Sequence, residues 1–212
     1  GRVVQRRRRD ALPRAGHPRH WKAADALVEL DHVLMESVGL HQRSDVPYGM
    51  FFSGGIDSSV LLAMMVRLNE RPVRALTAGF PGTGVHDERQ HARAVAKAVG
   101  ADAIDVEFTE DDFWRLLPAV AAAMDDPAAD YATLPTYKLA QVARAEGLKV
   151  VLTGEGADEV FAGYDIFKEA RVRRFCGRQP GSRIRPHLFR KLYPYLPGLR
   201  RQSADYLAAF FG

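Results

Sequence analysis

The chain has 212 residues, nearly half of them hydrophobic, which is enough for one sizeable α/β domain or for one domain with an appendage. No apolar run approaches the roughly 20 residues that span a bilayer, no secretory signal is visible, and the single cysteine, Cys176, excludes an internal disulfide or multi-cysteine metal site and suits a reducing cytoplasm. The net charge of +4 is uneven, with +6 on residues 1–20, −11 on residues 21–166 and +9 on residues 167–212, so an acidic middle compatible with a metal–nucleotide site lies between two basic ends, unlike the all-round basic surface expected of a nucleic-acid binder.

In chain order, residues 1–20 hold Arg6 to Arg9, Pro13, Gly16 and Pro18 without apolar periodicity and read as a basic lead-in or linker. His17 and His20 lack a neighbouring Cys or carboxylate cluster and do not read as metal ligands. From Trp21, the residues Ala23, Leu27, Leu30, Leu34 and Val38 recur at helical spacing, with Gly39 as a stop. Asp45-Val46-Pro47 turns into a short strand ending at Phe52, and Val60–Leu68 is long enough for a buried helix. Val73–Ala78 reads as the next strand, Gly79 to Gly84 as a loop, and Asp87–Val99 as an amphipathic helix capped by Gly100. His86, Asp87 and Glu88 are read as that loop and helix start.

Ala103–Phe108 alternates as a third strand. Thr109 followed by Asp112 predicts a capped helix to about Met124, kinked or divided at Pro118. A polar loop from Asp125, a helix over 135–146 and a fourth strand over 148–152 follow. Beyond Asp158 the chain reads as helical, then basic and interrupted by prolines; Cys176 reads as an incidental thiol in that tail. Strands alternating with helices predict a doubly wound, mostly parallel sheet covered on both faces. Its right-handed crossovers would gather loops 53–58, 79–86 and 153–158 at one end, where open α/β sheets bind ligands.

Two segments carry the chemistry. Phe51-Phe52-Ser53-Gly54-Gly55-Ile56-Asp57-Ser58-Ser59 joins a strand to a helix through glycines. It presents free backbone N–H groups at a helix start, an anion cradle. It lacks the Walker lysine and the dinucleotide glycine pattern. Asp57 within such a loop suits Mg²⁺, which prefers carboxylate plus phosphate oxygens, and Ser53, Ser58 and Ser59 can donate hydroxyl hydrogen bonds. Thr153-Gly154-Glu155-Gly156-Ala157-Asp158-Glu159 places three carboxylates within five residues. Glu155 and Asp158 would share a face if a helical turn begins there, one for metal and the other as a base. Ala78-Gly79-Phe80 is a candidate adenine-edge contact. Asp125, Asp126, Tyr131, Thr136, Tyr137 and Lys138 are candidates to line a substrate pocket. A tight turn, helix-start acids and a plain strand end are the simpler readings of these segments.

The Ser53-Gly54-Gly55-Ile56-Asp57-Ser58 run resembles the pyrophosphate loop of the N-type ATP pyrophosphatases. With Asp45-Val46-Pro47 before it, and Gly154 to Glu159 and Gly163-Tyr164 after it, residues from about Trp21 to Phe167 resemble the synthetase domain of glutamine-hydrolysing asparagine synthetases. The resemblance implies an adenine nucleotide alpha hydrolase-like fold over 21–167 and a basic helical extension over 168–212. It implies Mg-ATP, adenylation of a carboxylate (aspartate first), release of pyrophosphate, and displacement of AMP by ammonia. By position, Ser53, Gly54, Gly55, Ile56, Asp57 and Ser58 would hold pyrophosphate, and Phe51, Ala78, Thr153 and Gly154 would contact ATP. Asp57 and Asp158 would bind Mg²⁺, and Glu155 would be the acid–base residue.

Thr153 stands where serine is usual and Ala162 where glycine precedes the Gly-Tyr pair. Also missing are the amino-terminal nucleophilic cysteine of a glutaminase domain, the later Arg-x-Pro-Phe-Leu-Asp segment and its phosphate-binding lysine. The expectation is therefore an interior fragment of a longer cytoplasmic protein that carries the glutaminase elsewhere, with room for homo-oligomerisation. No membrane partner and no nucleic acid is expected. The competing readings are a β-lactam- or macrolactam-forming relative, a tRNA-modifying ATP pyrophosphatase, or a nucleotide-binding fragment without activity.

Overall fold

The computed structural model describes residues 21–83, 87–126 and 130–211. The basic lead-in expected over 1–20, Gly84 and His86 of the expected glycine loop, and Pro127 lie outside those residues. The described residues fall into two units, 21–43 and 44–211. In the first, helix α1 (Ala23–His41) runs through Gly39, two residues past the expected stop. Its apolar spacing does not translate into burial: Val38 is buried, whereas Leu27 is 67% exposed. Helical spacing defines a face but says nothing of what covers it.

The second unit is built on four parallel strands. They are β1 (Tyr48–Phe51), β2 (Arg74–Gly79), β3 (Asp102–Glu107) and β4 (Val150–Leu152), in the order β3-β2-β1-β4. Met50 pairs with Ala75 and Leu152, and Leu76 with Ile104. Helices α2 (Ile56–Leu68), α3 (Arg89–Val99), α4 (Glu110–Ala123) and α5 (Thr133–Ala145) connect the strands. Parallel strands need such crossovers, and burial of the central β1 and β2 explains their apolar runs, whereas the edge strand β3 alternates and is mostly exposed.

The period of two sorts each strand. Phe51, Leu76, Ala78, Ile104, Val106 and Val151 share a cluster with Leu139, Ala143 and Leu148, so α5 covers that face. Met50, Ala75 and Thr77 point the other way and are buried, and α3 turns Ala92 and Ala96 inward, with Arg93 reaching Asp105 of β3 at 2.6 Å. The expected doubly wound sheet is present. Pro118, however, sits inside an unbroken α4 and does not divide it. It is exposed, and on that face a carbonyl left without its N–H donor has access to water. The Thr109 capping box forms as the sequence suggests.

After β4 come the short α6 (Ala157–Phe161), α7 (Asp165–Gly177), a 3-10 helix (Arg185–Lys191), α8 (Pro197–Arg200) and α9 (Ala204–Phe211). Phe189, Leu192, Leu207 and Phe211 are buried together against Val172, Cys176, Tyr193 and Leu199. The basic tail therefore has its own small core. Burial raises the Cys176 thiol above its ordinary value, with Arg185 opposing, which suits an unreactive packing role.

Candidate functional site

The strand-to-helix turn after β1 comes from constraints on Phe52, Gly54 and the serines around it. Phe52 stays in the sheet through its amide, which donates to Leu76 O at 2.8 Å. Ser53 Oγ then accepts from Gly55 N at 3.2 Å and lies 3.1 Å from Ser58 Oγ, while the Ser58 hydroxyl donates to Gly55 O at 3.1 Å. Ser59 Oγ donates to Gly54 O at 3.2 Å. Gly54 adopts φ +80°, a left-handed conformation that side chains disfavour. The serines thus tie the loop to itself, and the first-turn amides of α2 are left without intrahelical acceptors. Ser53, Gly55 and Ile56 are exposed there, and Asp57 is half-buried in the first turn.

The second glycine segment meets this loop directly. A Cβ on Gly154 would lie 2.9 Å from Ser58 N and 3.0 Å from Ser58 Cα. Only a bare glycine allows the chain leaving β4 to come so close to the first turn of α2. The strand order makes this contact, because β1 and β4 are neighbours and both run toward the same end. Thr153 and Glu155 are exposed beside it.

Glu155 is not on α6. It precedes the helix in a turn, and Gly156 at φ +91° separates it from Asp158 in the first turn. The helical-face relation between Glu155 and Asp158 therefore does not form. Tyr164 relates the acids instead. Its phenol is raised above its ordinary value first by the Glu159 charge, then by burial and its hydrogen bond to Glu159 Oε1 at 3.2 Å, with Asp158 and Glu155 adding. The Asp158 carboxylate packs over Gly163, where a Cβ would overlap it. Ala162, just before, stands at φ 58°. That is the left-handed conformation glycine takes without cost, a physical reason for a glycine at this position.

At the end of β2, Ala78 packs in the α5-side cluster and Gly79 supports the Arg89 side chain, which a Cβ there would overlap. Arg89 is paired with Asp87 at 2.6 Å and with Glu107 at 3.0 Å. Its side-chain hydrogen bond to Asp87, then that to Glu107, raise the guanidinium further, and Asp87 is lowered to about 2, chiefly by the same Arg89 bond. Phe51 is half-buried in the α5-side cluster. Of the candidate substrate-pocket residues, Lys138 is committed elsewhere: it pairs with Asp112 of α4, as does Arg115. No signal in the sequence separates that lysine from a substrate-facing one. The Arg89–Glu107 pair was equally invisible, because Glu107 is distant in sequence and adjacent only through the β2–β3 pairing.

Among the described residues there is no group of three or more His, Cys, Asp or Glu side chains arranged to hold a metal. The donor set does fit Mg²⁺ brought with a polyphosphate, since that ion takes one or two carboxylates and completes its shell with phosphate and water oxygens. Asp57 and Asp158 are the carboxylates that the resemblance would assign to it, and the Gly154–Ser58 approach brings their two segments together.

Residues 29–210 match the family model for asparagine synthase. The chain belongs to the asparagine synthase family. The match runs past Phe167, so the family pattern extends through the basic tail. A Mycobacterium tuberculosis protein provisionally named asparagine synthetase (glutamine-hydrolysing) is 43% identical over 141 residues, covering 66% of this chain and 21% of that protein. Asparagine synthetase (glutamine-hydrolysing) 1 of Bacillus subtilis is 38% identical over 146 residues, covering 68% and 23%. An amidase of Penicillium rubens is 33% identical over 148 residues, covering 64% and 22%. The chain thus spans little more than a fifth of the length of these relatives. Among solved structures, an ammonia-dependent NAD synthetase from Campylobacter jejuni aligns over 87% of this chain and 90% of that one at 13% identity, with a TM-score of 0.43, too loose a likeness to bear on function. No helix among the described residues is long and apolar enough to cross a membrane.

Proposed function

We propose that this chain is the nucleotide-binding part of an ATP-dependent, AMP-forming amide synthetase that converts aspartate to asparagine. The observation that carries the reading is the approach of Gly154 to the Ser58 backbone, which brings the two glycine segments into contact. Ser53, Gly54, Gly55, Ile56, Asp57 and Ser58 hold the β- and γ-phosphates, and Phe51, Ala78, Thr153 and Gly154 contact the rest of the nucleotide. An oxygen of the substrate carboxylate attacks the α-phosphorus, the bond to the bridging oxygen breaks, and pyrophosphate leaves with its charge balanced by the loop amides. Ammonia then attacks the acyl carbon, Glu155 takes up a proton, and the carbon–oxygen bond to AMP breaks. Mg²⁺, held by Asp57 and Asp158, would supply charge neutralisation at the leaving pyrophosphate. Holding the carboxylate in line with the α-phosphorus is a proximity effect of the two adjoining loops.

The division into a lead-in over 1–20, a synthetase domain over 21–167 and a basic extension over 168–212 belongs to this proposal. So do a cytoplasmic location, a glutaminase elsewhere in the longer protein as the ammonia source, and any homo-oligomer. A second reading keeps the chemistry and changes the carboxylate, favoured by a relative that is named an amidase rather than an asparagine synthetase. Pyrophosphate release from ATP by the full-length protein tests both. Release that needs aspartate, with asparagine formed when ammonia is added, supports the first. Release with another carboxylate supports the second, and release only with tRNA would sink both. In the same assay, Asp57→Ala should abolish adenylation, and Glu155→Gln should keep ATP binding while losing turnover.

A further inference from the structure

The phosphate loop has a neighbour outside the two family motifs. Helix α3 begins at Arg89, and its first turn lies against Gly54. A Cβ on Gly54 would stand 3.2 Å from His91 Cδ2 and 3.2 Å from Ala92 Cα. Ala92 is fully buried, whereas His91 is exposed. Among the described residues the imidazole makes no hydrogen bond or ion pair, so a polar ring touches the loop with its hydrogen-bonding capacity unspent.

This turn is also held in place. Arg89 lies across Gly79 at the end of β2 and reaches Glu107 at the end of β3 at 3.0 Å, with its side chain only 12% exposed. The amide of Ala92 donates to Glu88 O at 2.9 Å, closing the first helical turn. The start of α3 is therefore fixed at its own strand ends and leans on the loop after β1. The ring carbon that faces Gly54, Cδ2, is bonded directly to Nε2, so a donor nitrogen sits one bond away from the contact.

We propose that His91 is a phosphate-contacting residue of this site, donating from its imidazole to the β,γ-phosphates of ATP lodged on Ser53 to Ser58. The proposal rests on the reading of that loop as the ATP-binding element. A hydrogen bond from a ring N–H to a phosphate oxygen is charge-assisted and stronger than a neutral one. The ordinary alternative is a surface histidine whose ring happens to cover a glycine, and the two differ in what its removal does to different nucleotides.

The test measures binding of Mg-ATP and of AMP to the full-length protein by calorimetry, for the wild type, His91→Ala and His91→Asn. Loss of one hydrogen bond to a charged group should weaken Mg-ATP binding about tenfold in His91→Ala. AMP, which lacks the β,γ-phosphates, should bind both proteins alike. His91→Asn keeps a donor and should recover part of the loss. Unchanged Mg-ATP affinity in His91→Ala, with the wild type binding well, would overturn the contact alone. Equal losses for ATP and AMP would also overturn it, since that pattern reports a displaced loop. No Mg-ATP binding by the wild type would overturn the reading of the loop and this contact with it.

Discussion

At Gly154 the missing side chain is a packing requirement. A methyl there would meet Ser58 N at 2.9 Å and Ser58 Cα at 3.0 Å, and backbone cannot swing aside as a side-chain tip can. Gly154→Ala should therefore cost about 1–3 kcal/mol, the range for forced overpacking, and should weaken Mg-ATP binding as well. Urea midpoints and calorimetry read the two effects. A variant with wild-type midpoint and affinity would mean that the two segments do not need to touch. Ala162 makes the opposite case. At φ 58° its Cβ is a source of strain, and Ala162→Gly should raise the stability by up to about 1 kcal/mol despite the greater freedom of glycine in the unfolded chain. An unchanged or lower urea midpoint would count against that strain.

The helix pair α4 and α5 is joined by a buried carboxylate. Asp112 is buried at the third residue of α4; burial pushes its pKa up, but Lys138, the Thr109 amide, Arg115 and the Thr109 hydroxyl together hold it well below the usual carboxylate range. Its folded pKa is depressed, so its stabilisation is fully present above the ordinary carboxylate value and is lost as pH falls through the folded value. Asp112→Asn should lower stability at neutral pH by about 1–3 kcal/mol, since it leaves Lys138 without its charge partner. The gap to the wild type should narrow as the pH is taken below about 4. A gap that stays constant down to strongly acidic pH would show that packing, and not charge, is what the substitution removes. The sequence disclosed the Thr109 cap, because a cap is local. It did not disclose Lys138, because that partner arrives from another helix.

For the molecule as a whole, the small C-terminal core and the sheet make different demands. Phe189, 2% exposed, stacks on Phe211 at 4.9 Å between ring centroids. Phe189→Ala should cost about 3–5 kcal/mol, as buried aromatic truncations do. Ligand linkage gives a second whole-molecule expectation. The described residues hold no ready-made metal cluster. Mg²⁺ alone should therefore leave the melting temperature unchanged, while Mg-ATP should raise it by mass action, and EDTA should remove that rise. A rise with Mg²⁺ alone would point to a metal site built from protein groups.

The sequence by itself determined the elements and the positions of the two glycine-rich loops. Strand and helix periods, the Thr109 cap and the glycine-serine turn after β1 all depend on near neighbours, and the elements formed within a residue or two of their expected places, except that α2 starts at Ile56, four residues before the expected Val60. The unbroken passage of α4 through Pro118 was not legible, because a proline's effect depends on whether its helix face meets water. Nor was the partner of Lys138, the anchoring of Arg89 or the approach of His91 to Gly54. These depend on the order β3-β2-β1-β4, which sets which loop ends meet. Residues 53–58 and 153–158 are far apart in the chain, and the pairing of β1 with β4 is what brings the two segments into contact.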